Sequence, residues 1–424
     1  MRFNSLEQWL DWQTTLHPKE IELGLERVAS VWRRLKPAGL QSLVVTIAGT
    51  NGKGSSVAIL ESIYRQGGYR VGAYTSPHLV RYNERIRIDG REVSDEALCL
   101  AFEQVDQARG ETALTYFEFA TLAALKIFAE QTLDLVILEV GLGGRLDAVN
   151  IIDADLALIT TVDLDHTDWL GNSREEIGLE KAGIMRPKQP VVVGENETPQ
   201  SVLGYAKQIG AELYLAGRDF NASQSDDRLQ WQRSGREPLT LPQARLTGQG
   251  QLHNTSAVVM VSSLLQSRLP LDQDQLSEGL RQVSLQGRTQ LIEGQPSLLL
   301  DVAHNAQAVA SLRRYLDRLD WPAEVYALFG LLKDKDTEAI VECLHSAISG
   351  WYLVDLPGAR GQSAEQLARV VRQRGEKVPV HCYSDFSSAY ESIQGTAKGE
   401  DLIVIFGSFL VVGDALDVID PKTE

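Results

Sequence analysis

The chain has 424 residues, 43% of them hydrophobic and 23% charged, with a formal net charge of −16. That length exceeds one ordinary core and sets two domains as the expectation; the acidic balance argues against nucleic acid as a partner, because phosphate binding needs a basic face. The longest apolar runs are strand-length, far short of the roughly 20 residues that a membrane span needs, and they exclude a membrane role. The opening MRFNSLEQWLDWQ lacks the basic-then-apolar layout of a signal peptide. Cys99, Cys343 and Cys382 are scattered without metal spacing, as suits a reducing compartment. The expectation is a cytoplasmic protein.

From about residue 43 onward, short apolar runs alternate with amphipathic stretches. The spacing predicts strands over Leu43–Ala48, Leu133–Val140, Leu156–Thr161, Val191–Gly194, Leu298–Val302, Val325–Phe329, Trp351–Asp355 and Leu402–Phe406. Several are near-continuous Val, Ile and Leu, the pattern of parallel strands covered on both faces. Helices are expected over Ser56–Gln66, with Val57, Leu60 and Tyr64 on one stripe, and over Phe117–Glu130. The fold class is therefore α/β with doubly wound sheets. Asn221–Thr247 breaks the alternation and reads as a loop or small hairpin region; the series restarts near Leu298. The expected organisation is an N-terminal domain over residues 1–285 with a P-loop ATPase-like parallel sheet, a linker over 286–296, and a smaller Rossmann-like α/β domain over 297–424.

The strand Leu43–Ala48 runs into Gly49-Thr50-Asn51-Gly52-Lys53-Gly54-Ser55 and then a helix. Strand, glycine loop and helix give a phosphate-binding loop its meaning: backbone N–H groups turn inward on the phosphates and the helix N-terminus adds partial positive charge. Lys53 is placed to reach the terminal phosphates. The loop departs from the usual G-x-x-x-x-G-K-[ST] pattern. Ile47 stands at the first glycine position and Gly54 separates Lys53 from Ser55, which weakens a GTPase or kinase reading.

Glu139 ends an otherwise apolar strand, where ligands of open α/β sheets collect; such a carboxylate is either a metal ligand or a partner for Arg145 or a helix N-terminus. His166, in Leu164-Asp165-His166-Thr167-Asp168, follows another strand and is either a site residue or a capped loop residue. Asp301 closes a strand of the second series, followed by Ala303-His304-Asn305. His304 is either a site residue at that sheet edge or a cap of the next helix.

GTNGKGS resembles the loop of the Mur ligase superfamily, in particular its folylpolyglutamate synthase and dihydrofolate synthase branch. The resemblance extends through Thr75-Ser76-Pro77-His78-Leu79, Tyr82-Asn83-Glu84-Arg85-Ile86, Thr115-Tyr116-Phe117-Glu118-Phe119, the run from Glu139 to Asp147, Asp165-His166-Thr167, Glu180-Lys181-Ala182-Gly183-Ile184 and Asp301-Val302-Ala303-His304-Asn305. It is most similar to the bacterial enzymes that perform both reactions. The resemblance implies an ATP-dependent amide ligase that activates a carboxylate as an acyl phosphate and joins it to L-glutamate, with dihydropteroate and reduced folates as substrates.

It further implies magnesium held at Ser76, Glu139 and His166. Lys181 would be carbamylated, an anion that helps hold a second magnesium; read without the resemblance, Glu180-Lys181 is a solvated helix pair. Nucleotide would be held by the loop residues Gly49, Thr50, Asn51, Gly52, Lys53, Gly54 and Ser55 with Asn254, Arg288 and Asp301, and the pterin by Glu22, Leu23, Gly24, Thr115, Phe117, Asp147 and Ala148. Phe117 would supply a stacking face, although a helix position like this one equally suits core packing. Lys53, His166, Lys181 and His304 are the catalytic candidates, His304 as base for the attacking amine. The expected partners are small molecules alone, bound by a monomer without membrane or nucleic acid.

Three other readings compete. One is a single-activity folylpolyglutamate synthase. Another is a Mur ligase of nucleotide-sugar peptides, disfavoured because only about 40 residues precede the first strand. The third is a non-ligase P-loop nucleotide switch, which leaves Ser76, His166 and Lys181 without a role.

Overall fold

The computed structural model describes residues 2–19, 21–35, 39–225, 228–246, 250–374 and 378–419. It divides into two compact units. The first comprises Met1–Leu164, Leu170–Arg245 and Leu252–Val283; the second comprises Asp165–Trp169, Leu246–Gln251 and Ser284–Glu424.

The first unit is built on an eight-stranded sheet: β1 (Leu43–Ala48), β2 (Val71–Tyr74), β3 (Ile86–Ile88), β4 (Arg91–Glu92), β5 (Leu135–Glu139), β6 (Leu156–Ile159), β7 (Pro190–Val193) and β8 (Glu212–Leu215). The strand order is β4-β3-β2-β5-β1-β6-β7-β8. β2, β5, β1, β6, β7 and β8 run parallel, and β3 and β4 join antiparallel at one edge. Every residue of β1, β5 and β6 is buried, which is why these strands read as continuous aliphatic runs. β2 escapes the periodicity because it is four residues long and includes Gly72. A Cβ there would lie 2.8 Å from Leu133 and 2.9 Å from the Phe128 ring, so close packing excludes the side chain that would have marked the strand.

Pairing of Ile47 with Glu139 sets the end of β5 beside the end of β1. The helix Lys53–Gln66 then leaves the loop after β1, starting three residues before the expected Ser56. Left-handed Gly52, at φ 87°, turns the chain directly into it. Ten consecutive residues, Ser55–Tyr64, are buried along this helix. The helix Tyr116–Ala129 opens with a capping box, Thr115 with Glu118.

The stretch from Asn221 forms a small antiparallel sheet of β9 (Phe220–Ser225), β10 (Arg228–Arg233) and β11 (Leu239–Pro242); residues 226, 227 and 247 of that stretch lie outside the described residues. On β10, Leu229 and Trp231 turn inward, and the Trp231 indole N–H donates to Ser256 O at 3.1 Å.

The second unit carries a six-stranded sheet of β12 (Gln290–Ile292), β13 (Ser297–Asp301), β14 (Val325–Phe329), β15 (Gly350–Val354), β16 (Val380–Tyr383) and β17 (Leu402–Phe406), in the order β12-β13-β17-β14-β15-β16. All pairs are parallel except β12 with β13. Residues 290–292, inside the stretch expected as linker, thus form a sheet-edge strand, and the turn through Gly294 and Pro296 returns the chain into β13. A cluster from Leu299, Phe329, Trp351, Leu353 and Phe406 fills the core against Leu312, Ile340 and Leu367 from the helices.

Candidate functional site

In the first unit the phosphate loop rests on the end of β6. Thr50 N donates to Thr161 O (2.8 Å), and Asn51 N to Thr161 Oγ1 (3.1 Å). Thr160 Oγ1 donates to Asn51 O (2.6 Å). The Thr50 hydroxyl donates to Asp163 O and accepts from Asp163 N, each at 3.0 Å. Two glycines let the loop pass this closely. A Cβ on Gly49 (φ 156°) would stand 1.8 Å from Thr160 Oγ1, and one on Gly52 would stand 2.4 Å from Asn254 Oδ1.

The loop and Asn254, expected to act together, are therefore adjacent, and Asn254 is buried in the helix Gly250–Leu265. Lys53 Nζ donates to Gly49 O (2.9 Å) and Thr50 O (3.2 Å), which folds the ammonium over the loop.

Glu139 is also at the loop. It is 5% exposed, its oxygens would lie 3.8 and 3.9 Å from a Cβ on Gly54, and Oε2 accepts from Ser76 N at 3.2 Å. The alternative partner, Arg145, pairs instead with Glu180 at 2.7 Å. Lys181 is only 3% exposed, so the solvated helix pair does not hold: Glu180 takes the ion pair and Lys181 turns inward. The Gly143-Gly144 turn makes this possible, since a Cβ on Gly144 would lie 2.8 Å from Glu180 O and 3.1 Å from the Lys181 Cα.

The residues expected around the pterin also gather in this unit. Gly24 N donates to Leu146 O at 3.3 Å. Arg27 joins Glu22 to the capping box: its guanidinium donates to Glu22 O (2.9 Å) and to Glu118 Oε1 (2.8 Å), while Glu118 Oε2 accepts from Thr115 N (2.8 Å). Glu22 is paired with His17 as well, at 2.7 Å.

The Phe117 ring, half-buried, lies against Gly141, where a Cβ would stand 2.5 Å from its Cζ, and 6.1 Å between centroids from Tyr74. Asp147 accepts from Leu142 N (2.8 Å) and Val149 N (3.0 Å), capping the short helix Ala148–Ile151. Burial raises its carboxyl to about 6, against the lowering effect of those N–H groups.

His166 belongs to the second unit together with Asp165. Asp165 accepts from Lys335 Nζ (2.5 Å) and Asn305 Nδ2 (3.1 Å), and His304 Nε2 stands 3.7 Å away. Burial alone would raise Asp165, but the nearby His304 ring and the Lys335 charge outweigh it and hold the carboxyl well below the usual range. His166, in a left-handed backbone turn at φ 50°, places Nε2 3.4 Å from Lys335 Nζ and Nδ1 3.5 Å from Asp334. Burial first, and the Lys335 charge second, lower its pKa to about 4.

His304 is not the helix cap: Asn305 caps Ala306–Leu319 through Ala308 N (3.0 Å), and His304 Nδ1 bonds Val302 O (2.8 Å). Asp301 accepts from Thr289 N, Thr289 Oγ1 and Ala303 N at 2.8–3.0 Å, and burial raises its carboxyl against the charge of Arg288. The Arg288 guanidinium lies 5.4 Å over the Phe409 ring.

Sequence reasoning missed Thr160 and Thr161 as the bed of the loop, Arg27 beside Glu22, and Lys335 and Phe409 in the second unit. Glu118 was named only within its segment, although Thr115-x-x-Glu118 is a capping-box signal, and Lys335 had a local signal in the alternating Lys333-Asp334-Lys335-Asp336 just past β14.

Two α/β units, one with a glycine phosphate loop after its central strand and the other with polar residues gathered at strand ends, define a nucleotide-dependent enzyme of the ligase type. The Mur ligase middle domain matches residues 47–262, and the Mur ligase glutamate ligase domain matches residues 287–409. The chain belongs to the Mur ligase family, in its dihydrofolate synthase/folylpolyglutamate synthase group.

It is 41% identical to the dihydrofolate synthase/folylpolyglutamate synthase of Escherichia coli, over 98% of this chain and 96% of that one. Against the Haemophilus influenzae protein of the same name it is 37% identical, over 98% of each. The solved structure of E. coli FolC in complex with DHPP and ADP superposes with a TM-score of 0.92 at 40% identity, covering 99% of this chain and 98% of that one. A bifunctional folylpolyglutamate synthase/dihydrofolate synthase with Mn, AMPPNP and L-glutamate bound gives 0.89 at 42%, covering 98% of each.

Proposed function

We infer that this protein is an ATP-dependent amide ligase that adds L-glutamate to dihydropteroate and to the γ-carboxylate of reduced folates, releasing ADP and phosphate. The observation that carries the reading is the joint placement, in one unit, of the phosphate loop, Asn254, Glu139 and the Glu22–Phe117–Asp147 group. The substrate carboxylate attacks the γ-phosphate of ATP to give an acyl phosphate and ADP; the glutamate amine then attacks the acyl carbon and expels phosphate. Loop N–H groups and Lys53 neutralise charge on the transferred phosphoryl group and hold it in line.

Glu139 and the Ser76 hydroxyl suit a hard cation. Magnesium takes few protein ligands and completes its shell with water and phosphate; among the described residues no group of three or more His, Cys, Asp or Glu is placed to hold an ion. Ser76, Glu139 and His166 would hold it, and when bound it offsets phosphate charge. A carbamate on Lys181 would turn a buried cation into an anion, a reading supported by the 3% exposure of that side chain. Arg288 and Asp301 would serve the nucleotide. His304, with Nδ1 anchored on Val302 O, would offer Nε2 beside Asp165 to take the amine proton. The enzyme is read as a cytoplasmic monomer; no described helix is long and apolar enough to cross a membrane.

The test is ADP release that depends on glutamate, measured with dihydropteroate and, separately, with a reduced folate monoglutamate. Turnover with both is expected. Turnover with one alone would reduce the assignment to a single activity, and release indifferent to both would remove the folate assignment.

A further inference from the structure

A pair of charged side chains stands behind the bed of the phosphate loop. Val162, between Thr161 and Asp163, has both backbone groups held: its N–H donates to Glu195 Oε1 (3.1 Å), and its C=O accepts from Arg174 Nε (2.8 Å). Arg174 closes the arrangement by donating to Glu195 Oε2 (3.1 Å) and to Glu197 O (2.8 Å). The residues on either side of Val162 carry the loop: Thr161 takes Thr50 N and Asn51 N, and Asp163 exchanges two hydrogen bonds with the Thr50 hydroxyl.

The Glu195 side chain is 12% exposed and that of Arg174 38%. Its neighbours make the Glu195 carboxyl costly to ionise: it is removed from water, and Asp163 faces it with a like charge, while Arg174 and the Val162 N–H oppose both effects. The carboxyl is consequently raised to about 7, first by burial. Arg174 also begins the helix Arg174–Ala182 that carries Lys181.

We propose that Glu195 and Arg174 are positioning residues for ATP, clamping Val162 so that the end of β6 presents Thr161 and Asp163 to the phosphate loop. Neither touches the nucleotide; they act through the loop. The inference rests on the reading of that loop as an ATP site. When Glu195 is protonated, its charge-assisted bond to Arg174 weakens and the bed loosens. ATP should then bind more weakly below neutral pH than above it, without a matching change for glutamate.

The experiment is steady-state ADP release by the full chain from pH 6 to 8, with KM for ATP and for glutamate measured separately, in wild type, Glu195→Gln and Arg174→Lys. Expected in wild type is a KM for ATP that falls as pH rises through 7. In Glu195→Gln it should be raised on the order of tenfold, as for loss of one charge-assisted hydrogen bond, and flat with pH, with the KM for glutamate unmoved. Arg174→Lys, which keeps the charge and loses the fork, should also raise the KM for ATP, and it carries the test if Glu195→Gln does not fold. Protection of the Thr50 and Asn51 amides from hydrogen exchange should fall in either variant. Wild-type ATP KM and pH profile in both variants would overturn the proposal, as would equal shifts for ATP and glutamate. Absence of ATP turnover in wild type would instead strike the ligase reading itself.

Discussion

Replacing Gly49 with alanine probes how tightly the phosphate loop is seated. The new Cβ would stand 1.8 Å from Thr160 Oγ1 and 3.1 Å from Thr160 Cβ. Thr160 is 2% exposed and cannot swing its hydroxyl away without losing the 2.6 Å bond to Asn51 O. That bond is worth about 1 kcal/mol, and a side chain at φ 156° adds about 1–3 kcal/mol of backbone strain. The sum, about 2–4 kcal/mol, falls on the loop conformation and corresponds to roughly a 30- to 700-fold loss of nucleotide affinity.

Titration calorimetry with a non-hydrolysable ATP analogue measures it directly, with urea unfolding as the control for global stability. Thr160→Ala removes the colliding oxygen together with the same hydrogen bond and leaves the contacts at 3.1 and 3.3 Å, so the double variant should bind about as well as Gly49→Ala alone, the bond being lost once, a non-additivity of about 1 kcal/mol characteristic of touching residues. Affinity for Gly49→Ala within about twofold of wild type, or strict additivity in the cycle, would refute the reasoning.

Glu195 also links stability to pH. Its folded-state pKa of about 7 lies above the ordinary glutamate value of 4.5, so the fold binds this proton more tightly than the unfolded chain does; the associated stability is complete below about pH 4.5 and is lost as pH rises through 7, by about 3 kcal/mol. Glu195→Gln should flatten that part of the stability profile, and unchanged slopes between pH 5 and 8 in urea melts would contradict it.

Lys335→Met removes the cation from a pair whose side chains are 4% and 9% exposed and leaves Asp165 buried without it, a loss of about 3–5 kcal/mol that calorimetry should register as a lowered Tm. Lys181→Ala should abolish ligation while far-UV circular dichroism stays unchanged, and carbon-13 NMR after labelling with 13C bicarbonate should show a carbamate signal in wild type only. A fully active Lys181→Ala variant would exclude Lys181 from the mechanism.

Local chemistry carried much of this protein in its sequence. The strands β1, β5, β6, β14, β15 and β17 are legible because burial on both faces demands aliphatic runs. The phosphate loop is legible because strand, glycines, lysine and helix are contiguous. β2 and β12 were not: β2 is short and completed by pairing with the distant β5, and β12 is only three residues long. The position of Glu139 at a strand end was visible, whereas its seat beside Gly54 depends on the register of β1 with β5.

Tertiary structure alone turned Lys181 inward and gave its neighbour Glu180 to Arg145. It also brought Lys335 to Asp165 across 170 positions of chain, and Arg174 and Glu195 to Val162 behind the loop. Helical and strand periods report only what one segment does with its own hydrogen bonds and its own apolar face. Which buried charge meets which counter-charge is decided by strand order and register, and no local pattern encodes those.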